Sequence, residues 1–201
     1  MAKTTKQNEK ENQSALGKSH LKDKNANPQE KELQELYGRI GRIHLDCYAL
    51  CKHAFGNHFE NAGNIGIFCQ SDEEFALFTK LREALTLPSN NPKQKYFELI
   101  KPIVIRQTGD MPQATYTHLY TRKPDATPYG RHAGDVDFLL SDEEYADLKK
   151  LIQNGLQIPG VRIYPFNTQD MIEIANPSVR SLAYVSTKTM AIATRVDTNP
   201  L

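Results

Sequence analysis

The sequence predicts an α+β protein in which two tandem β-α-β-β-β units form curved mixed sheets around a shared core, preceded by a long amphipathic helix. Three observations predict this fold: a polar N-terminal segment, a helical apolar pattern over residues 29–58, and a segment that occurs twice between residues 62 and 187. The 201 residues suffice for one domain, or for two small units that share a core.

Residues 1–28 contain six lysines and very few large aliphatic side chains. Such a segment cannot bury enough apolar surface to offset the entropy lost on ordering, so it is expected to be a disordered basic tail. The whole chain has a net charge of +1, without the basic excess typical of proteins that bind nucleic acids. No run approaches the roughly 20 apolar residues of a membrane span. With three cysteines, an odd number, the composition favours a reducing, cytoplasmic location.

Apolar residues recur at spacings of three and four from Leu33 to Phe55, which is the pattern of one helical face. Pro28 suits the first turn of this helix, and Gly56 suits its end. Amphipathic helices of this kind also mediate dimerisation or partner docking. A non-catalytic interaction protein, in which the helix performs that role, is therefore the alternative to a ligand-binding function.

The repeated segment reads AGNIGIFCQSDEEFALFTKLREALTLP from Ala62 and AGDVDFLLSDEEYADLKKLIQNGLQIP from Ala133. Each copy predicts a strand followed by a helix that begins at Ser-Asp-Glu-Glu, a typical N-terminal capping sequence. Further strands are predicted at 95–105 and 115–122 in the first unit (62–122), and at 161–166, 170–176 and 181–187 in the second (133–187). Residues 188–201 show no strong periodicity and are expected to form an irregular tail.

Two consecutive β-α-β-β-β units resemble the vicinal oxygen chelate superfamily, which includes glyoxalase I, extradiol dioxygenases and bleomycin-resistance proteins. The resemblance implies a cavity for a small oxygen-rich molecule, with metal ligands on the first and fourth strands of each unit. The matching positions here are Asn64, His118, Asp135 and Tyr184, of which His118 and Tyr184 are the candidate catalytic residues. The implied function is small-molecule binding, with a divalent-metal-dependent lyase, isomerase or dioxygenase as its enzymatic form.

Asp135 and Asp137 lie two residues apart on a predicted strand, so their side chains point to the same face. If that face is inward, the pair needs a cation or a basic partner, because a buried unpaired carboxylate is costly. Together with His118 and Glu173 the pair could hold one divalent ion, with Mn, Fe or Zn as the candidates. In the alternative, both aspartates lie in solvent and the apolar residues of the strand face inward; these are Val136, Phe138 and Leu140.

Tyr116, His118 and Tyr120 alternate along one predicted strand and are therefore expected to share a face. They could form a ligand-binding wall, or a general base with its partners; the alternative is a histidine hydrogen-bonded to its neighbours in the sheet. Arg122 and Arg131, with Asn64, offer donors to the same ligand, although a solvated hairpin explains the arginines equally well. The expected partners are thus a small molecule and a second copy of the chain.

Overall fold

The computed structural model describes residues 27–166 and 169–197. The predicted α+β class is confirmed: one mixed sheet of seven strands follows a long N-terminal helix. A short 3₁₀ helix, Pro128–Arg131, precedes the fourth strand. The remaining elements in chain order are α1 Pro28–Phe55, β1 Ala62–Phe68, α2 Asp72–Leu85, β2 Phe97–Ile105, β3 Ala114–Arg122, β4 Gly134–Leu140, α3 Asp142–Gln153, β5 Val161–Phe166, β6 Gln169–Ile174, β7 Ser181–Thr187 and α4 Lys188–Ala193.

The strand order β2-β3-β1-β4-β7-β6-β5 divides the sheet into two similarly ordered halves. β1 pairs in parallel with β3, and β4 pairs in parallel with β7. The halves meet where β1 and β4 pair antiparallel at the centre of the sheet. A Cβ atom on Gly134 would collide with the backbone carbonyl of Gly66, so this central pairing requires a glycine at position 134.

The first half contributes three strands and the second contributes four. Residues 95–105 were predicted as one strand or a bent pair; the structure has the single strand β2 over Phe97–Ile105, whose register against β3 shifts between Glu98 and Ile103. Pro102 lies within the shifted part and has no N–H group to donate to a partner strand. Before β2, Thr86 pairs with Leu99 through an isolated antiparallel bridge.

Helix α1 covers one face of the sheet. The side chain of Asn27 accepts a hydrogen bond from Gln29 N at its start, and Gly56 ends it with a left-handed φ of 77°. Gly56 was the residue predicted to suit the end of this helix, and residues 57–58 of the predicted helical segment lie beyond it. The apolar stripe of α1 packs against β7, β4, β1 and β6. It is therefore used inside the domain and is not available for docking a partner; its buried residues are Leu36, Ile40, Ile43, His44, Cys47, Tyr48, Leu50 and Cys51.

Helices α2 and α3 both begin at the predicted serines. The Ser141 hydroxyl accepts from Glu144 N, and the Glu144 carboxylate accepts from Ser141 N, which is a complete capping box. Ser71 likewise accepts from Glu74 N at the start of α2. No helix in the described residues has the length and the apolar character needed to cross a bilayer.

The expectation of an irregular tail from residue 188 is wrong for residues 188–193, which form α4. The Thr187 side chain accepts a hydrogen bond from Met190 N at its start. A helix of fewer than two turns is too short to show periodicity in the sequence, which explains why it was not predicted. The helix packs on β4 and β7. The predicted basic tail, residues 1–28, lies outside the described residues except for Asn27 and Pro28.

Candidate functional site

The central strand β4 is covered by protein on both faces. Val136 and Phe138 belong to the apolar core beneath α1. Asp135 and Asp137 point to the opposite side of the sheet, which we call the acidic face. Only 7% of Asp135 and 3% of Asp137 is exposed. The apolar residues of β4 do face the core, but the accompanying expectation of aspartates in solvent is wrong, because α4 and the residues that follow it cover the acidic face.

A pocket of about 330 Å³ lies on the acidic face. Its walls come from both halves of the sheet, from the segment that leads into β2, and from the segment after α4. Aromatic and charged side chains dominate the lining, with few aliphatic ones, as in many small-molecule sites that fix a ligand by its polar groups. The lining residues are Phe68, Lys95, Tyr96, Tyr120, Arg122, Tyr129, Asp135, Asp137, Tyr164, Met171, Tyr184, Thr194 and Asp197.

The Asp135 carboxyl group lies against Gly66 of the neighbouring strand β1. A Cβ atom at position 66 would collide with Asp135 Oδ1, so glycine provides the space that this carboxyl group occupies. The Tyr96 hydroxyl lies 3.2 and 3.3 Å from the two carboxyl oxygens. Burial raises the pKa of Asp135 to about 6, against the opposing effects of the Tyr96 hydrogen bond and of the more distant charges of Lys95 and Arg122.

Asp137 is held by a hydrogen-bonded amide. Asn64 Nδ2 donates to Asp137 Oδ2 at 2.8 Å and also to the carbonyl oxygen of Ala191 in α4 at 3.0 Å. Arg195 Nε donates in turn to Asn64 Oδ1 at 3.3 Å. Burial first, and then the charge of Asp135, raise the pKa of Asp137 to about 7, against the opposing effect of the Asn64 hydrogen bond. Asn64, predicted as a ligand-binding residue, therefore supports the carboxyl group and does not line the pocket itself.

Neither aspartate has an ion-pair partner in residues 27–166 and 169–197, since no Lys, Arg or His nitrogen lies within 4.0 Å of Asp135 or Asp137. Two buried carboxylates on one strand face repel each other when both are ionised, so the pair retains protons up to near neutral pH. Such a pair can donate a hydrogen bond as well as accept one, and it can exchange a proton with a bound molecule.

Glu173 of β6 is fully engaged by its neighbours. Arg162 Nε donates to Oε1 at 2.6 Å, while the hydroxyl groups of Tyr129 and Tyr184 donate to Oε2 at 2.6 and 3.1 Å. Burial raises the pKa of Tyr184 far above its ordinary value, and the charges of Asp135 and Glu173 add to the effect. Tyr184 thus stays protonated and donates its hydrogen to Glu173 from the pocket wall.

The cationic side chains of the pocket lie over aromatic rings. Lys95 Nζ is 5.6 Å from the centroid of the Tyr120 ring. The Arg122 guanidinium is 5.1 Å from the Phe68 centroid and 5.5 Å from the Tyr129 centroid. At these distances a cation is attracted by the electron-rich ring face. Arg122 and Tyr120, both predicted to bind a ligand, therefore form part of the pocket wall.

Tyr116 does not share a face with His118 and Tyr120, and that prediction is wrong. The Tyr116 side chain is fully buried on the α1 side of the sheet, where its hydroxyl lies 2.8 Å from His44 Nδ1. The shifted register between β2 and β3 falls in this part of the strand, and such irregularities interrupt the simple alternation of side chains.

His118 lies on β3 opposite Asn64, outside the pocket lining. Its Nδ1 is 3.0 Å from the Thr117 hydroxyl oxygen. Burial first, and then the charge of Arg195, lower the pKa of His118 to about 4. Arg131, at the end of the 3₁₀ helix, is exposed and also lies outside the lining. His118 and Arg131 were both predicted to contact a ligand, but neither lines this pocket.

The four predicted metal ligands do not form one site. Asp135 and Asp137 are neighbours on one strand face. The positive charge of Arg195, which is hydrogen-bonded to Asn64, affects the pKa values of both His118 and Asp137. Glu173 is already bound by Arg162, Tyr129 and Tyr184. Across the described residues, no three His, Cys, Asp or Glu side chains are grouped so that they could hold a metal ion. The residues present therefore do not fit the predicted Mn, Fe or Zn ion.

Several pocket residues were not predicted from the sequence. Lys95 and Tyr96 were included in the predicted strand 95–105 but precede β2 in the structure, and Tyr129 lies in the 3₁₀ helix, so strand alternation does not show which way these side chains point. Tyr164 does alternate on β5, opposite Met171 of β6. The one available signal was the composition, with nine tyrosines in a chain that has no tryptophan.

Comparison with known proteins does not assign the chain to a family. No family model matches the sequence, and no curated protein matches it. A solved structure described as structural-genomics protein EC4020 is 14% identical, with 84% of this chain and 96% of that chain covered and a TM-score of 0.47. Two structures of Streptomyces coelicolor methylmalonyl-CoA epimerase with 2-nitronate-propionyl-CoA are 13% and 14% identical, each covering 65% of this chain and 97% of that chain, with TM-scores of 0.28 and 0.25. Likenesses of this size do not transfer a function.

Proposed function

We propose that this chain is a small-molecule-binding protein of vicinal oxygen chelate type, and that its ligand occupies the pocket on the acidic face. The observation that carries the proposal is the pair Asp135 and Asp137, buried beside an aromatic-lined pocket with no ion-pair partner among the residues that the structure describes. A concave site with a few convergent polar groups and displaced pKa values is where ligands bind in most proteins.

The carboxyl pair supplies the chemistry of the proposed site. One member can donate a proton while the other accepts one, because their pKa values of about 6 and 7 lie close to neutral pH. Tyr96 and Tyr184 also line the pocket, and because their hydroxyl hydrogens go to Asp135 and Glu173, their oxygens can accept hydrogen bonds from a ligand. Within the proposal, any reaction at this site is a proton transfer between the carboxyl pair and the ligand.

A second concave surface on the molecule is less suited to a small ligand. This groove of about 560 Å³ lies between α1, α2 and the edge strand β2. Its lining is mostly aliphatic, and its polar contribution is Lys101 with the tyrosine hydroxyl of Tyr37. It lacks the converging polar groups that orient a small molecule, which favours the acidic-face pocket.

The proposal is tested by methyl NMR on the full chain with its methionines labelled at the methyl carbon. Met171 lines the pocket, whereas Met111 lies outside it and is an internal control of the same chemistry. A fragment library is screened for compounds that shift the Met171 methyl signal without moving that of Met111. Compounds of that kind support the proposal. A library that leaves the Met171 signal unmoved, or that moves only the Met111 signal, contradicts it.

Self-association is the second candidate function. The alternative hypothesis, in which the long helix α1 mediates dimerisation or partner docking, is not favoured, because the apolar stripe of α1 is buried in the core. The exposed apolar residues Ile100 and Val104 lie on β2, at the open edge of the sheet. Lys101 and Pro102 lie between them, and charges or prolines on an edge strand oppose strand pairing. Sedimentation of the full chain and of an Ile100→Lys variant over a range of concentrations measures whether this edge forms a homodimer.

A further inference from the structure

We propose that the ligand of the acidic-face pocket is an organic cation with at least two N–H donors, such as an ammonium, amidinium or guanidinium group attached to a flat apolar body. This inference rests on the proposed function, because it specifies which class of small molecule the pocket takes. The argument combines three features of the pocket: the acceptor capacity of its two carboxyl groups, the positions of its own cations, and the arrangement of its rings.

The carboxyl pair has unused acceptor capacity. An ionised carboxylate can accept about four hydrogen bonds. Among the described residues, Asp135 accepts from the hydroxyl of Tyr96 and interacts with the backbone N–H of Gly66, and Asp137 accepts from the amide of Asn64, so each carboxyl group retains acceptor sites. Both groups are more than nine-tenths buried, so bulk water does not supply the missing donors freely. A ligand rich in N–H groups would satisfy them, and a positive charge on it would remove the cost of burying two carboxylates.

The cations nearest the pair have other partners. Arg122 pairs with Asp125 and lies over two rings, and Arg195 donates to Asn64. Lys95 lies over the Tyr120 ring. Their charges reach the aspartates only at a distance. The space directly at the carboxyl pair is therefore acidic, and an anionic ligand placed there would be repelled.

The rings of the pocket suit a flat cation. In the first half of the sheet, the ring centroids of Tyr96 and Tyr120 are 5.1 Å apart. In the second half, the ring centroids of Tyr164 and Tyr184 are 6.1 Å apart. Such ring faces attract cations, and those of this pocket already hold lysine and arginine side chains of the chain itself. A planar amidinium group can contact a ring on either side while its N–H groups meet the carboxyl oxygens.

The test uses three probes of the same ring and nearly the same size: benzamidine (a cation), benzamide (neutral) and benzoate (an anion). Each is titrated into the full chain at pH 8, with calorimetry for affinity and the Met171 methyl signal for location. We expect benzamidine to bind at least about tenfold more tightly than either of the others, the range that one charge-assisted hydrogen bond provides. Because a bound cation favours ionised carboxylates, its affinity should rise from pH 5 to pH 8, with net proton release in calorimetry.

Matched variants locate the effect. Asp137→Asn keeps the shape of the side chain and removes its charge, so benzamidine should bind about tenfold to a hundredfold more weakly. Asp147→Asn changes an exposed aspartate of α3, outside the pocket, and should leave the affinity unchanged. Equal binding of benzamide or benzoate, affinity that falls with rising pH, or no benzamidine binding overturns the inference. If other fragments still move the Met171 signal, the proposed function stands and only the ligand class is wrong.

Discussion

Replacing Asp137 by asparagine should stabilise the protein at pH 8. The Asp137 carboxyl group is buried beside Asp135, and the Asn64 amide is its one side-chain donor in the described part of the chain. An asparagine at this position keeps an oxygen that can accept the same hydrogen bond, and it removes a charge that burial and Asp135 both disfavour. The substitution therefore relieves an unfavourable charge without creating a cavity.

The magnitude follows from the pKa of Asp137. This pKa rises from 3.8, the ordinary value, to about 7 in the folded chain. Between these values the folded chain keeps a proton that the unfolded chain has released, so stability falls as the pH rises from about 4 to about 7 and is level above that. A pKa difference of one corresponds to about 1.4 kcal/mol, which gives an upper limit of about 4 kcal/mol for the whole difference. Local relaxation around a buried charge reduces this limit, and we expect a gain of roughly 2 kcal/mol at pH 8.

The assay is urea unfolding followed by circular dichroism at pH 4, 6 and 8 for the wild type, Asp137→Asn and the exposed control Asp147→Asn. The free-energy difference between Asp137→Asn and the wild type should be small at pH 4 and grow toward pH 8. The control should track the wild type throughout. A variant that is no more stable than the wild type at pH 8, or a difference that does not change with pH, would refute the reasoning.

Three further predictions concern the support of the pocket, the core and the metal. Gly66→Ala should destabilise the chain by about 1–3 kcal/mol in urea unfolding, because the added methyl group collides with the Asp135 carboxyl; unchanged stability would show that the carboxyl can move aside. Ile43→Ala, in the buried stripe of α1, should cost about 2–5 kcal/mol, whereas Leu45→Ala on the exposed side should cost less than about 0.5 kcal/mol. Added Mn²⁺ or Zn²⁺ should leave the melting temperature unchanged, since an ion bound only by the folded chain would raise it.

The elements of the fold could be predicted wherever their signal is local. The stripe of α1, the serine caps of α2 and α3 and the strand β4 are all encoded by spacing within a short window. The register shift at Glu98 and the short helix α4 could not be predicted in this way. The first depends on how β2 meets β3, and the second is too short to show a period.

The site was predictable only in part, because its residues meet through tertiary contacts. The sequence indicated that Asp135 and Asp137 share a face, but not that α4 would bury them. It suggested Glu173 as a metal ligand, whereas an arginine on the neighbouring strand β5 neutralises it. The contact of Tyr96 with Asp135 joins residues 39 positions apart, and no periodic pattern encodes such a contact.

The burial of β4 on both faces has a consequence for how this protein could diverge or be engineered. Most substitutions from 134 to 138 disturb either the core beneath α1 or the floor of the pocket, so they are expected to be selected against. The half-exposed Tyr164 of the pocket wall carries less of the packing and can be exchanged at lower cost, whereas Tyr129 donates to the buried Glu173. New specificities should therefore arise by remodelling the walls around an invariant acidic floor.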